Sequence, residues 1–211
     1  MAYTDACVHP YPDGDTTLPR MALEARDCGF DRIVSTSGNG EFFGVRVIPG
    51  IVIAAAHVRD LTRGVRRAPA GALVMVEAGE EGFNRSAVSL GGVHVLRGLS
   101  HAGKHAFDHV AARTAAENGV AIEIDLAPVI SLRGRERQRV FQRYADVLVL
   151  QRHYGFPLTV ASNARSVLDL RSVREAVGLC SLFGMEEAET LSALSSVDRL
   201  MERPEPVQVV G

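Results

Sequence analysis

The sequence predicts a TIM-like α/β barrel, in which about seven parallel strands in a single domain (residues 1–203) are surrounded by helices. Short apolar runs alternate with amphipathic segments along the chain, which is the order expected of repeating strand–helix units. Several runs, such as ALVMVEA and LTVAS, are apolar on both alternating faces, as in parallel strands covered by helices. No GxGxxG follows the first run, which favours a barrel over an open dinucleotide-binding sheet.

The strands are predicted to bring several polar loops to one end of the barrel. Apolar runs suited to strands lie at residues 3–9, 32–36, 45–55, 72–77, 93–99, 120–126 and 158–162. In such a barrel, the loops after the carboxyl ends of the strands build the functional face. Polar loops of this kind lie at 35–37, 77–79, 125–139 and 161–172. A functional site is therefore expected among these loops.

Helix signals occupy the segments between the strands. Thr17 is a predicted N-cap, with Pro19 in the first turn and Gly29 beyond the end of that helix. Small and apolar residues at helical spacing predict a second helix that starts near Ala106, and Gly119 ends it. These boundaries separate the runs assigned to strands.

The longest predicted helix covers about residues 135–154. Its buried stripe consists of Val140, Phe141, Tyr144, Val147 and Leu148. At about 100° per residue, Arg135 and Arg139 point away from this stripe and Arg143 flanks it. The helix is therefore expected to present arginines to solvent.

Composition excludes two broad classes of protein. The chain has 211 residues, of which 46% are hydrophobic and 23% charged, an ordinary balance for a globular protein. No apolar run reaches the roughly 18 residues that a membrane span requires. The N-terminus lacks the layout of a secretory signal, and three scattered cysteines are too few for a disulfide framework. These features predict a cytoplasmic protein with reduced thiols and no membrane partner.

Charge is concentrated in one stretch of the chain. The net charge of −2 does not favour a nucleic-acid partner. However, residues 133–174 contain nine arginines against three acidic residues, a local net charge of +6. Such a patch favours a polyanionic partner, although a solvated helix face would have the same composition.

Asp5, Cys7 and His9 alternate along the first strand and therefore point to one face. In barrel-type metal-dependent phosphoesterases, two histidines at this spacing bind a metal at the barrel mouth. Here a cysteine stands at the first of those positions, and its thiolate could bind zinc. Further donors could come from His57, Glu77, Glu123 and Asp125, although no second HxH accompanies them. We interpret the cluster as a barrel mouth that resembles a metal site, with a working site as the alternative.

The loop ASNARSVLDLRS, residues 161–172, carries more polar chemistry than a turn requires. Arg165 and Arg171 offer paired donors that suit phosphate. Ser162, Asn163, Ser166 and the amides at the next helix start offer further anion contacts. Ser172 and Glu175 form a predicted capping box that opens this helix, which runs through Phe183. The alternative is a purely structural lock, in which Asp169 pairs with one of the two arginines.

Three stretches resemble one protein family. Residues 3–36, YTDACVHPYPDGDTTLPRMALEARDCGFDRIVST, resemble the opening of archaeal ribonuclease P protein component 3, a relative of the eukaryotic thirty-kilodalton ribonuclease P subunit. Residues 119–150 are similar to that family's sixth strand and arginine-bearing helix. Residues 157–194 contain its most distinctive pattern, in which Ala-Arg-Ser is followed by Asp-Leu-Arg-Ser and a helix. The resemblance runs to about Arg203.

The resemblance implies a barrel related to the polymerase-and-histidinol-phosphatase (PHP) superfamily, without that superfamily's full metal set. It also implies a subunit of ribonuclease P, which removes 5′ leaders from precursor tRNA. Catalysis is then expected from the RNA with bound Mg²⁺, with neither a catalytic residue nor a cofactor on this chain. The expected partners are the ribonuclease P RNA, component 2 in a heterotetramer with two copies of each protein, the other protein subunits and, indirectly, precursor tRNA.

On this hypothesis, one set of residues meets RNA or the protein partner: Arg135, Arg139, Arg143, Asn163, Arg165, Ser166 and Arg171. Asp169 and Ser172 are expected to hold the loop. One alternative is a PHP-type metal-dependent phosphoesterase that uses His9, Glu77 and Asp125. A second alternative is a scaffold whose arginines stabilise only protein contacts. Residues 204–211 are predicted to be a loose tail.

Overall fold

The computed structural model describes residues 2–202, so the predicted tail at 204–211 lies outside the described residues. Strands and helices alternate as predicted. The strands are β1 Thr4–Val8, β2 Arg32–Ser35, β3 Gly40–Phe42, β4 Val45–Ile53, β5 Leu73–Glu77, β6 Val95–Arg97, β7 Ala121–Asp125 and β8 Leu158–Ala161. The helices are α1 Leu18–Asp27, α2 Val58–Arg66, α3 Glu81–Ser89, α4 His109–Asn118, α5 Leu126–Ser131, α6 Gly134–Tyr154, α7 Val173–Ser181, α8 Glu187–Leu194 and α9 Val197–Met201.

The sheet is a nearly closed barrel of parallel strands, which confirms the predicted fold class. The strand order is β1-β2-β4-β5-β6-β7-β8, and every neighbouring pair along this path is parallel. A parallel bridge between Val8 and Ala164 brings the first strand beside the chain that leaves β8. The amide of His9 donates to the carbonyl of Ala164 over 2.8 Å at this seam.

All seven predicted strands are present, and each is shorter than its apolar run, most of all β6, which has three residues within the run 93–99. The prediction missed β3, which pairs antiparallel with β4. This strand has three residues, none of them buried, so it lacks the apolar alternation that identifies a strand.

Two apolar layers stabilise the barrel. The inner layer includes Val34, Met75 and Val95, and the ends of α9 complete it through Val197 and Leu200. The outer layer joins the strands to the surrounding helices. The Ser196 hydroxyl donates to the Leu158 carbonyl over 2.7 Å, so α9 is attached where β8 begins. The amino end of the barrel is thereby covered, and the opposite end is left for the polar loops.

The helix boundaries follow local capping chemistry. Thr17 is the N-cap residue of α1 as predicted, but its side chain makes no capping hydrogen bond. The helix expected from near Ala106 begins at His109, because the Asp108 side chain accepts from the Ala111 amide over 3.0 Å. The predicted capping box at Ser172 is present. No helix within residues 2–202 is long and apolar enough to cross a bilayer.

Candidate functional site

Four polar side chains meet at the open end of the barrel, which we call the barrel mouth. They are Glu77, Arg97 and Glu123, at or near the carboxyl ends of β5, β6 and β7, and Asn163, which follows β8. Glu77 and Arg97 are register partners on adjacent strands. Nε of Arg97 lies 3.2 Å from Glu77 Oε1 and 3.4 Å from Glu123 Oε1. The Arg97 guanidinium thus lies between two carboxylates.

Arg97 also bridges to β1 and to the loop after β8. Its Nη2 donates to Asn163 Oδ1 over 2.7 Å, and its Nη1 lies 3.5 Å from the Cys7 sulfur. The residue is only 7% exposed. Burial disfavours its charged form, but Glu123, Cys7 and Glu77 outweigh burial and raise its pKa. Arg97 is therefore a permanent cation inside the mouth.

Cys7 and His9, two members of the alternating row that begins on β1, lie close to this cation. Cys7 is fully buried, and burial raises the pKa of its thiol well above the ordinary value. The two ring nitrogens of His9 each lie 3.3 Å from a partner, Nε2 from Asn163 Oδ1 and Nδ1 from Thr36 Oγ1. Burial and the nearby Arg97 lower the His9 pKa. At neutral pH the row therefore presents a neutral thiol and a neutral imidazole.

Buried carboxyl groups surround the same space. Burial raises the pKa of Asp5 to about 6 and that of Glu123 to about 7. Within the described residues, Asp5 Oδ2 and Glu123 Oε2 are buried without a hydrogen-bond partner. Glu123 Oε1 accepts from the Asn163 side-chain amide over 3.1 Å. Each carboxylate thus has one engaged oxygen and one without a partner.

Asp125, the third residue of the phosphoesterase alternative, has a structural contact of its own. Its Oδ1 accepts from the Ala127 amide over 2.9 Å and caps α5. The backbone of Asp125 also exchanges two hydrogen bonds with the buried hydroxyl of Tyr144. Asp125 therefore starts the next helix, and its side chain also contacts Asn163 in the mouth.

Two loops at the rim join into one surface, which we call the two-loop platform: residues 9–17 and 162–172. The Asp15 amide donates to the Arg165 carbonyl over 2.8 Å, and Nη1 of Arg165 donates to the Asp13 carbonyl over 2.9 Å. Gly14 lies at the closest approach, because a Cβ there would lie 2.1 Å from the Arg165 carbonyl oxygen. The loops therefore form a fixed pair.

The polar residues of the second loop mostly hold its own shape. Asp169 Oδ2 accepts from the amides of Arg165 and Ser166, at 3.1 and 3.0 Å, rather than from an arginine side chain. Ser166 and Asp169 form one capping box, and Ser172 and Glu175 form the next. The suggested Arg–Asp lock is thus replaced by an Asp–backbone lock. The amides of Ser172 and Glu175, expected as anion contacts, are engaged within the second box.

The structure separates the predicted interface residues into two groups. Asn163 lies in the mouth, where its side chain contacts His9, Arg97 and Glu123. It adopts a left-handed conformation with φ of 51°, as the only non-glycine residue besides Phe43 to do so within residues 2–202. The arginines lie on the surface instead, on the platform and on α6.

The surface arginines are oriented but not neutralised. Arg135 and Arg139 are exposed on α6, and Arg143 donates from Nη1 to the carbonyl of Gly103. We call these three the arginine row. Arg171 Nη1 donates to the carbonyls of Leu168 and Leu170. In residues 2–202, no carboxylate lies within 4.0 Å of any of Arg133, Arg135, Arg137, Arg139, Arg143, Arg165, Arg171 and Arg174.

Some exposed arginines have acidic partners, whereas five others outside residues 133–174 have none among the described residues: Arg46, Arg59, Arg66, Arg67 and Arg199. Arg85 pairs with Asp108 at 2.6 Å, Arg113 with Glu117 at 2.9 Å, and Arg152 with Glu189 at 2.8 Å. Apart from Arg152, the arginines of the 133–174 stretch are available to an external anion, because backbone carbonyls orient a guanidinium without cancelling its charge.

The platform adds exposed apolar side chains to its arginines. Tyr11 is 69% exposed on the first loop, and Leu168 is 81% exposed on the second. The arginine row has no comparable neighbour until Val149, further along α6. The two surfaces therefore differ in chemistry, one basic and apolar, the other basic alone.

Sequence reasoning missed Arg97, the centre of the mouth. The available signal was its position in VLRG, where a charged residue ends an apolar strand and a glycine follows. That glycine is required, because a Cβ on Gly98 would lie 2.5 Å from Glu77 Oε2 and its φ is +76°. A charged residue at the carboxyl end of a barrel strand faces the mouth.

Sequence comparison gives one consistent result. A family model described as RNase P subunit p30 matches residues 2–205. Ribonuclease P protein component 3 of Methanothermobacter thermautotrophicus is 35% identical over 202 residues, covering 87% of this chain and 82% of the relative. The component 3 protein of Methanococcoides burtonii is 32% identical over 205 residues, covering 92% and 84%.

Fold comparison agrees with the barrel assignment. A chain in the cryo-EM structure of archaeal ribonuclease P with mature tRNA superposes with a TM-score of 0.77 and 17% identity, and the match covers 98% of both chains. A histidinol phosphate phosphatase from Lactococcus lactis, in complex with zinc, L-histidinol and phosphate, superposes with a TM-score of 0.58. That match has 12% identity and covers 86% of this chain and 94% of the phosphatase.

Proposed function

This chain belongs to the family of the RNase P subunit p30, and on this premise we propose that it is a protein subunit of ribonuclease P. The observation that carries the proposal is the family match over residues 2–205. In this role the chain supports the removal of 5′ leaders from precursor tRNA in the cytoplasm. Its surface chemistry supports the proposal, because eight of the nine arginines in residues 133–174 have no acidic partner among the described residues.

The arginine row is the proposed contact with ribonuclease P RNA. The row lies on the first half of α6, which begins shortly after the carboxyl end of β7 and therefore near the barrel mouth. Arg135 and Arg139 have no carboxylate within 4.0 Å among the described residues, and exposed guanidiniums of this kind bind phosphate oxygens. Such contacts position an RNA without reading its sequence. The chain would then contact precursor tRNA only indirectly, through ribonuclease P RNA.

The two-loop platform is the proposed contact with component 2. Tyr11 and Leu168 give it apolar anchors, and Arg165 and Arg171 supply charge beside them. Tyrosine and arginine are enriched at the energetic centres of protein interfaces. The hydrogen bonds that join the two loops also reduce the ordering cost of binding. The proposed assembly is a heterotetramer with two copies of each protein, joined by the remaining subunits.

Catalysis is proposed to reside in the RNA and its Mg²⁺, with no catalytic residue on this chain. The state of Cys7 supports this, because the residue is fully buried and burial keeps its thiol protonated. The possible bases His9 and Glu123 are engaged by Asn163 and Arg97, and Asp125 caps a helix. A subunit with this mouth is expected to cleave no RNA when alone.

Assembly tests the proposal directly. We expect the chain to co-elute with component 2 in size-exclusion chromatography, and the pair to shift ribonuclease P RNA in a mobility assay at moderate salt. Arg113→Ala, which removes a paired surface arginine, should leave both results unchanged. Failure to bind both the RNA and component 2 would contradict the subunit role. Binding to component 2 alone would support the scaffold alternative.

A further inference from the structure

The barrel mouth contains a cation supplied by the protein itself. The Arg97 guanidinium contacts two carboxylates, with Nε at 3.2 Å from Glu77 and 3.4 Å from Glu123. The same group reaches the Cys7 sulfur at 3.5 Å and Asn163 Oδ1 at 2.7 Å. One side chain therefore occupies the space between donors that come from four different strands or loops.

A divalent cation does not fit among these residues as they stand. Ligands of a bound Zn²⁺ lie about 2.0–2.3 Å from the metal. Such an ion, bound to Cys7 and Glu123, would lie against the guanidinium that already contacts both. Two cations at that separation in a buried site repel strongly. Consistently, residues 2–202 contain no group of three or more His, Cys, Asp or Glu residues arranged to hold a metal ion.

The carboxyl groups around Arg97 nevertheless require a compensating positive charge. Glu123 is 1% exposed, and its Oε2 has no hydrogen-bond partner among the described residues. Isolated buried carboxylates are costly, and removing one partner of a buried ion pair leaves the other uncompensated. Arg97 supplies that compensation, and through Asn163 it also fixes the first residues of the two-loop platform.

We propose that Arg97 is a fixed internal cation that occupies the mouth in place of a divalent metal ion and positions Asn163. The mouth is then a structural element beneath the platform. Arg97 is accordingly a positioning residue rather than a catalytic one.

The test compares Arg97→Ala with the wild type by calorimetric titration with ZnCl₂ and by thermal unfolding. We expect no stoichiometric Zn²⁺ binding at the wild-type mouth. Arg97→Ala should unfold at a lower temperature, and added zinc should not restore its stability, because the remaining donors among the described residues are not grouped to hold a metal ion. Arg85→Ala, which breaks a partly exposed ion pair outside the mouth, should lower the unfolding temperature by less.

A second variant covers the case in which Arg97→Ala does not fold. Arg97→Ala combined with Glu123→Gln removes the buried cation and one of its acidic partners together, so it should fold and be more stable than Arg97→Ala alone. Three results would overturn the proposal: a wild-type zinc site abolished by His9→Ala, an Arg97→Ala variant as stable as the wild type, or a double variant less stable than the single one.

Discussion

Arg97 donates a hydrogen bond to Asn163 over 2.7 Å, and this contact joins the interior of the barrel to its rim. Asn163 is the residue at which the chain turns, with φ of 51°, from β8 into the two-loop platform. A buried arginine from β6 thus fixes the start of a surface loop that follows β8. The conformation of the proposed interface therefore depends on the charge of Arg97, which is buried beneath that interface.

The arginine row is expected to give RNA binding a measurable salt dependence. If about three arginines meet phosphates, the slope of log affinity against log salt should be roughly −2 to −3. Arg135→Ala combined with Arg139→Ala should weaken binding and reduce the magnitude of the slope by about 2. The measurement is a filter-binding titration with ribonuclease P RNA across salt concentrations. An unchanged slope would mean that the row does not contact phosphates.

Leu168 is expected to contribute to the affinity for component 2 and not to the affinity for RNA. Leu168→Ser removes an 81% exposed apolar side chain from the platform without disturbing the core. If Leu168 is an interface anchor, the affinity for component 2 should fall by at least about 1–2 kcal/mol, roughly tenfold. Val149→Ser changes an exposed apolar residue elsewhere and is the matched control. Equal effects of the two substitutions on component 2 binding, or a loss of RNA affinity in Leu168→Ser alone, would contradict this assignment.

Gly14 is predicted to be indispensable to the platform. In Gly14→Ala the new Cβ would lie 2.1 Å from the Arg165 carbonyl oxygen and 2.2 Å from that of His9, and neither backbone group can rotate away. We expect a loss of about 1–3 kcal/mol or more in the free energy of unfolding. Gly103→Ala, where a Cβ meets nothing within 4 Å, is the control. Chemical denaturation of both variants measures the difference, and equal stabilities would contradict the close packing of the two loops.

The buried carboxyl groups are expected to make stability depend on pH in a specific direction. Burial raises the pKa of Glu123 from 4.5 to about 7, so the folded chain holds a proton that the unfolded chain releases in this window. The free energy of unfolding contributed by Glu123 is therefore present below about pH 4.5 and falls as the pH rises toward 7. The stability of the wild type relative to Glu123→Gln should decrease over this range.

Denaturation curves at several pH values measure this difference. Glu117→Gln, on the exposed face of α4, shows the effect of removing a surface carboxylate. A relative stability that stays constant or rises between pH 4.5 and 7 would contradict a buried, proton-holding Glu123.

The barrel could be predicted from the sequence because its evidence is local. Each strand is a short apolar run, and each predicted helix has its own periodicity or capping residues, as at Ser172 and Glu175. The strand β3 could not be predicted for the same reason, since three residues of which none is buried leave no apolar pattern to detect.

The mouth could not be predicted, because its contacts are non-local. Arg97 meets Cys7 across 90 residues of sequence and Asn163 across 66. A single sequence does not show that an arginine is buried until the strands are assembled around it. For the same reason, Asn163 was grouped with the surface arginines although it lies inside the mouth, and Asp169 was matched to arginine side chains instead of to backbone amides.

Cleavage of precursor tRNA by the reconstituted enzyme tests the central claim most directly. Ribonuclease P RNA and component 2 would be assayed at limiting Mg²⁺, with and without this chain, and with Arg165→Ala combined with Arg171→Ala. We expect the wild-type chain to restore cleavage, the double variant to restore less, and the chain alone to cleave nothing. No gain on adding the chain, or hydrolysis of a phosphoester by the chain alone and lost in His9→Ala, would contradict the central claim.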